Sequence, residues 1–257
     1  MNLQKINNLN SFVTTTLKEM DGVKLMDRTD TKFTFNIEQL ELILKEVEPF
    51  YKVLEIENKK LSNYQTLYYD SDDLRLYNEH HNGHLNRFKI RHRTYMDSGL
   101  AYLEVKFKNN KGRTIKERIK EKNASEVFEN KAYTFLSDEL PFDPNILKPV
   151  VWVNYSRITL VNKKSAERVT IDVNLQFKKN DAVVNLDQLV IAEVKQEKKT
   201  PSQFLNTMKK FHIREGSISK YCFAIALTHQ TVKRNNFKEK LLSIKNITNY
   251  DFITSSK

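Results

Sequence analysis

The sequence predicts an α+β fold in which a closed antiparallel β-barrel forms a tunnel with a charged interior, flanked by helices. Three observations lead there. Several strand-like stretches put charge on one face and apolar side chains on the other, since successive side chains of an extended chain point to opposite faces. In the run from Arg87 to Arg93, the cations Arg87, Lys89, Arg91 and Arg93 share one face, and Phe88 and Ile90 point the other way. The same alternation recurs over 102–108 and 168–175. Short turns join these stretches into a meander. The helical stretches between them each carry one apolar stripe, as helices that cover a sheet do.

The elements follow in order. An N-terminal amphipathic helix is expected within 1–24, where Leu3, Ile6, Leu9 and Phe12 recur at helical spacing and Leu17 extends the stripe. Arg28 to Phe35 reads as a strand with Arg28, Asp30 and Lys32 on one face. Asn36 and Gln39 have capping-box spacing before a helix striped by Ile37, Leu40, Ile43, Leu44 and Val47. Strands are expected at 51–57 and 64–70, then a short helix near 72–79. Strands at 85–96, 100–108 and 113–121 turn at Ser98-Gly99 and at Asn109 to Gly112. A helix near 124–136 precedes strands at 150–161, 167–177 and 188–197. Thr200 and Gln203 form a second capping box, with Pro201 at the first helical position, ahead of helices at 201–212 and 217–228. A Lys-rich helical tail is expected over 231–257.

Composition narrows the partners. Lys and Arg number 43 against 32 Asp and Glu, a formal charge of +11, which points to nucleic acid, phosphate compounds or an anionic surface. Cys222 is the single cysteine, so no intramolecular disulfide and no cysteine metal site can form. Its neighbours Phe223, Ala224 and Ile225 mark it as a buried thiol. With 5 glycines, no phosphate-cradling glycine loop is available. Met1 to Asn10 lacks the apolar centre of a signal peptide, and no stretch nears the ~18 apolar residues of a membrane span. A soluble, cytoplasmic protein is expected. His80, His81, His84 and His92 crowd one region without metal-ligand spacing, and Trp152 reads as core.

The recurrence of charged rows suggests that they face inward. Helices over the outside would bury Phe88, Ile90, Leu103, Val105, Val169, Ile171 and Val173, leaving the cations to line a wet tunnel. Like charges repel strongly at low dielectric, so such a ring must be wet, interleaved with carboxylates or filled by an anion. Glu104 beside Lys106 and Glu193 beside Lys195 supply interleaved carboxylates.

The ordered set Arg28-Thr29-Asp30-Thr31-Lys32-Phe33, Tyr68-Tyr69-Asp70, Lys89-Ile90-Arg91-His92-Arg93-Thr94-Tyr95, Leu103-Glu104-Val105-Lys106, Tyr155-Ser156-Arg157, Arg168-Val169-Thr170-Ile171-Asp172, Glu193-Val194-Lys195 and Ser219-Lys220-Tyr221 resembles the VTC domain. This is the polyphosphate-polymerase domain of vacuolar transporter chaperone proteins, within the CYTH-like triphosphate tunnel metalloenzyme superfamily. The resemblance spans 25–230 and implies an antiparallel barrel around a basic tunnel. It implies that Lys32, Arg91, Arg93, Lys106, Arg157, Arg168 and Lys220 hold phosphates, with Arg28, Arg87, Lys89, Lys116, Arg118, Tyr155 and Lys195 as further lining. Glu193 is the implied ligand of Mn²⁺ or Mg²⁺, with Glu104 and Asp172 as additional candidates. The chain departs from the CYTH pattern where Arg28 stands in place of the first Glu of Glu-x-Glu-x-Lys, which argues against a CYTH cyclase or thiamine triphosphatase. Eukaryotic relatives carry an inositol-phosphate-sensing domain and membrane spans, and neither is expected within this sequence.

The implied reaction is metal-dependent phosphoryl transfer, with the γ-phosphate of ATP passing to a polyphosphate end. Such transfer needs in-line positioning and cations around the transferring group. Water as acceptor would make the protein a triphosphatase or polyphosphatase acting on ATP or inorganic triphosphate. Capture of polyphosphate or inositol phosphates without turnover is a further class. Nucleic acid is not the expected partner, because Phe88 and Phe107 lie opposite the cations and build no stacking platform with them. A membrane partner protein is a candidate for taking up a product, and the oligomeric state stays open.

Overall fold

The computed structural model describes residues 7–21, 29–198 and 200–249; Arg28, Leu3, Ile6 and the end of the Lys-rich tail lie outside them. In chain order the elements are β1 (Thr14–Thr15), α1 (Leu17–Asp21), β2 (Thr29–Asn36), α2 (Leu40–Val47), β3 (Tyr51–Leu54), β4 (Ser62–Asp70), α3 (Arg75–His81), β5 (Arg87–Tyr95) and β6 (Leu100–Lys108). Then come β7 (Thr114–Lys120), α4 (Asn130–Glu139), β8 (Lys148–Asn162), β9 (Glu167–Lys179), β10 (Ala182–Leu186), β11 (Leu189–Gln196), α5 (Gln203–Lys210), α6 (Lys220–Thr228) and α7 (Lys238–Thr248). Among the described residues no helix is long and apolar enough to cross a membrane.

One sheet holds all the strands. Its main order is β2-β11-β9-β8-β4-β5-β6-β7, and every adjacent pair is antiparallel. The long strands β8 and β9 form its spine; β3 pairs with β8, β10 with β9, and β1 runs parallel to β3. The order starts at β2 and ends at β7, and these two do not pair. The expected closed barrel is therefore corrected to an open, rolled sheet. A physical reason is visible at β2, whose outer edge is already taken: Phe33 bridges to Glu215, and Gly216 N donates to Lys32 O at 2.8 Å. The roll is tight enough for Lys32 on β2 and Glu193 on β11 to act electrostatically on Lys106 on β6.

The alternation sorts side chains as expected. Val169, Ile171 and Val173 turn outward with Ile158 and Leu160 and pack under α2 and α5 through Ile43, Leu44, Val47, Phe204 and Met208. Ile90, Leu103 and Val105 turn outward under α4 through Ala132 and Leu136, with Phe88 and Trp152 at the margin. The concave face is not charged throughout, which is a second correction. Its other half carries Val151, Val153, Leu175, Phe177, Leu189 and Ile191, and the apolar helix α6 plugs it through Tyr221, Phe223 and Ile225. Cys222 is fully buried there.

A bulge keeps this division in phase. Opposite Tyr155 the pairing of β8 with β9 shifts between Asn154–Gln176 and Ser156–Val173, and Asn174 adopts φ +52°. Asp172 before the bulge and Leu175 after it therefore both face inward. Asp70 ends β4 fully buried, accepting from the backbone of Ser71, Leu76 and Tyr77 and from the Tyr221 hydroxyl. It ties α3 and α6 to the sheet.

Other boundaries differ from expectation. Residues 7–21 form a 3-10 turn, β1 and the short α1 in place of one long helix, because Leu9 and Phe12 anchor the segment on the α2 core. Ser202, not Thr200, caps α5, accepting from Leu205 N at 3.3 Å, and the Thr200 carbonyl is engaged by Gln196 at 2.8 Å. The tail helix α7 is tied down through Ile244 and through Asn36, whose side chain donates to Ile247 O at 2.6 Å.

Candidate active site

The charged half of the concave face gathers side chains from β2, β5, β6, β7, β8, β9, β11 and α6. Lys89, Arg91 and Arg93 stand along β5, opposite Lys106, Glu104 and Tyr102 on β6. Lys116 and Arg118 face Lys106 and Glu104 from β7. Across the roll, Arg157 pairs in register with Asp172, and Glu193 lies between Thr170 and Lys32.

Carboxylates interleave the cations in three groups. Glu104, 1% exposed, takes Arg91 Nε at 2.6 Å and the Lys116 ammonium. Asp172, 2% exposed, is held by both prongs of Arg157 at 2.6 and 2.9 Å and by Lys220 from α6. Glu193 is ion-paired to Lys195, whose ammonium also lies 3.8 Å from Asp30. Burial alone would raise all three carboxyls. Their cations outweigh it and hold Glu104 and Asp172 at about 2 and Glu193 well below the usual carboxylate range.

The remaining cations are crowded. Burial pulls Lys106 down to about 7, with Lys89, Lys32 and Arg91 adding repulsion. Partial burial likewise pulls Lys116, whose side chain stays 35% exposed, to about 8, although Glu104 opposes it. Lys89 is lowered for the same reason and donates to Ser219 Oγ at 2.9 Å. Lys32 donates to Ile218 O at 3.3 Å. The start of α6, capped by Ser219 Oγ on Cys222 N, thus brings Lys220 and the positive end of the helix beside these cations, where they add to a field that favours anions.

Tyrosines form the floor. Tyr64 and Tyr155 stack with ring centres 5.0 Å apart, and the Arg157 guanidinium lies 5.1 and 5.2 Å from them. Arg93 approaches the same rings at 5.5 and 5.8 Å, and Lys220 lies 5.0 Å from Tyr155. The Tyr155 hydroxyl is buried without a partner. Tyr68 and Ser219 stand in the resembling motifs without an expected site role, and Tyr64 has no expected role. The alternation Tyr64-Thr66-Tyr68 on β4 is the signal that could have found them.

The expected lining is thus brought together with graded intimacy. Lys32, Arg91, Arg93, Lys106, Arg157 and Lys220 converge. Lys89, Lys116, Tyr155 and Lys195 join them. Arg87 sits at the start of β5, Arg118 is exposed over Tyr102 at 4.4 Å, and Arg168 NH1 lies 3.9 Å from Met20 Sδ. A cavity of about 270 Å³ lies beside His92, Leu103 and Phe128, and one of about 340 Å³ lies beside Asn154 and Gln176, with Tyr64 and Tyr155 of the floor also in its lining.

No group of three or more His, Cys, Asp or Glu side chains among the described residues is placed to hold a metal ion. The carboxylates fit only the arrangement in which one or two protein oxygens, phosphate oxygens and water share a divalent cation. Glu193, with 19% of its side chain exposed and Asp30 at the same ammonium, meets that description. Glu104 and Asp172 already carry two cations each. His92 faces outward, its Nε2 2.8 Å from Glu121 O.

The VTC domain family model matches residues 27–229. The chain belongs to the VTC domain family. A putative adenylyl cyclase from Hippeastrum, whose structure was described with a dominant triphosphatase activity, is 12% identical over 77% of this chain and 96% of its own, with a TM-score of 0.49. A putative adenylate cyclase from Bacillus halodurans is 12% identical over 76% and 96%, at 0.44. A protein from Pyrococcus horikoshii is 14% identical over 76% and 93%, at 0.41. No curated protein matches the chain. The VTC match ends within a residue of α6.

Proposed function

We propose that this VTC domain protein transfers the γ-phosphate of ATP to the end of a polyphosphate chain, with a divalent cation bound at Glu193. The observation that supports it is the convergence of Arg91, Arg93, Arg157, Lys106 and Lys220 on one face of a family whose members handle phosphate chains. Guanidinium forks grip phosphate oxygens bidentately and ammonium groups act as point charges. In this reading Arg157 and Arg93 clamp phosphates above the tyrosine floor. Lys220 and the positive end of α6 hold the chain end, and Lys32 and Lys106 offset charge that builds on the transferring group. Glu104 and Asp172 are counter-charges that keep the empty cations in place until phosphate replaces them. Glu193 would hold Mn²⁺ or Mg²⁺, which would supply positive charge against the charge that develops on the transferring phosphate. No protein nucleophile is required, because the terminal phosphate is one.

Phosphorus NMR of the protein with ATP and Mn²⁺ tests this. Internal-phosphate resonances of long chains should grow in as ATP disappears. ADP and orthophosphate alone would replace the polymerase by a triphosphatase. Retained tripolyphosphate binding with no turnover would leave a binding module.

A further inference from the structure

The convex face carries a feature the cations do not explain. Outward residues along β8 run Trp152, Asn154, Ser156, Ile158 and Leu160. Trp152 belongs to the apolar cover under α4, and Ile158 and Leu160 to that under α2 and α5. The two between are polar. Neighbouring strands change character at the same level: Asn63 and Gln65 precede Leu67 on β4, and Gln176 follows Val173 and the bulge on β9. A chain of side-chain hydrogen bonds crosses this strip. Asn154 Nδ2 donates to Gln176 Oε1 at 3.1 Å, Gln176 Nε2 to Asn185 Oδ1 at 2.9 Å, and Ser156 Oγ to Asn63 Oδ1 at 2.7 Å. The cavity of about 340 Å³ lies over these residues, with Met96 and Asp187 at its margin, and Tyr64 and Tyr155, whose rings floor the cationic site, also belong to its lining. In a chain of charge +11, no Lys or Arg lines it. The Asn154 Oδ1 is buried without a partner.

We propose that this cleft binds an uncharged, polyhydroxylated ligand of mono- or disaccharide size. Amide and hydroxyl groups donate and accept alike, so a row of them matches a row of ligand hydroxyls. A phosphate would meet no cation here. An apolar ligand would leave Asn154 Oδ1 and the amides' remaining donors and acceptors unmatched. An added peptide strand needs a free sheet edge; β4, β8 and β9, which carry most of the lining, are interior, and β10 offers its edge only at the margin. The volume is at the lower end of the ~300–1,000 Å³ of small-molecule sites. The cross-strand hydrogen bonds fix each amide's orientation before the ligand arrives, which lowers the ordering cost of binding.

The test follows the side-chain amide resonances of Asn154 and Gln176 in isotopically labelled protein titrated with glucose, trehalose and myo-inositol. Saturable shifts with at least one of them are expected, at a Kd on the order of 1 mM. The double variant N154L/Q176L should weaken that binding at least ~tenfold, the loss of about 1.4 kcal/mol, and leave tripolyphosphate affinity at wild type. If the double variant does not fold, N185A, at an exposed position in the same chain of bonds, must weaken binding instead. Absence of saturable shifts with all three probes, or binding undiminished in the variant that folds, overturns the proposal. Tripolyphosphate affinity is read in the same samples, so failure of this cleft and failure of the cationic face are told apart.

Discussion

Glu104 offers the sharpest check on how the cationic face is held together. Its carboxylate is 1% exposed between Arg91 and Lys116 and titrates at about 2 against an ordinary 4.5. At about 1.4 kcal/mol per pH unit, that depression contributes about 3 kcal/mol of stability near neutral pH. Because the folded value is the lower one, the contribution is present above pH 4.5 and disappears as pH falls toward 2. The gain belongs to the carboxylate and not to the pair, since burial still pulls Lys116 down to about 8. The same figure emerges from mutational experience: removing one partner of a buried pair costs ~3–5 kcal/mol. Glu104→Gln should therefore lower the melting temperature at pH 7 by roughly 6–12 °C, at ~2–4 °C per kcal/mol for a domain of this size. The gap between variant and wild type should narrow steadily between pH 4.5 and 2. Added tripolyphosphate should raise the variant's melting temperature more than the wild type's, since the anion restores the missing charge. Thermal unfolding by circular dichroism across pH reads all three. A variant as stable as wild type at pH 7, or a gap that stays constant down to pH 3, would show that Glu104 does not neutralise this cluster.

Four further outcomes are expected. Glu193→Gln should remove Mn²⁺-dependent turnover of ATP and leave tripolyphosphate binding within a few-fold, as read by phosphorus NMR and calorimetry. Arg157→Lys loses the two-pronged grip and should weaken tripolyphosphate binding ~10- to 100-fold, about 1.4–3 kcal/mol. Tripolyphosphate affinity should fall as pH rises through 7 and 8, because Lys106 and then Lys116 lose their protons; Lys106→Met should remove the first part of that fall. Asn174→Val should lower the urea midpoint, since φ +52° costs an L residue ~1–2 kcal/mol and a β-branched one more, whereas Asn174→Gly should be tolerated.

Much of this was legible from alternation alone. A period of two fixes which face a side chain takes, so the outward set of Ile90, Leu103, Val105, Val169, Ile171 and Val173 followed directly. The same logic set Arg91, Glu104 and Asp172 opposite those apolar faces, whereas Arg157 followed from the resemblance; the structure brings all four to one side. What it could not carry is a change of phase. The bulge at Asn174 lets Leu175 and Phe177 face inward beside Asp172, and with them comes the apolar plug of α6. Alternation also says nothing about how strands close. That depends on the segment around Glu215, which bridges β2 through backbone groups that any residue type could offer. The metal arrangement was hidden for a related reason: spacing puts Glu193 and Lys195 on one face but cannot say that they neutralise each other.

The free flank of β7 has a consequence for the kind of molecule this face can grasp. Among the described residues nothing pairs with its outer edge, and six of its seven residues are exposed, Lys116 and Arg118 among them. A ring must be threaded from one terminus, as a needle is, so an entangled or capped polymer never gets in. On the proposed function, a sheet left open along this flank would admit a phosphate chain from the side as well as by its end.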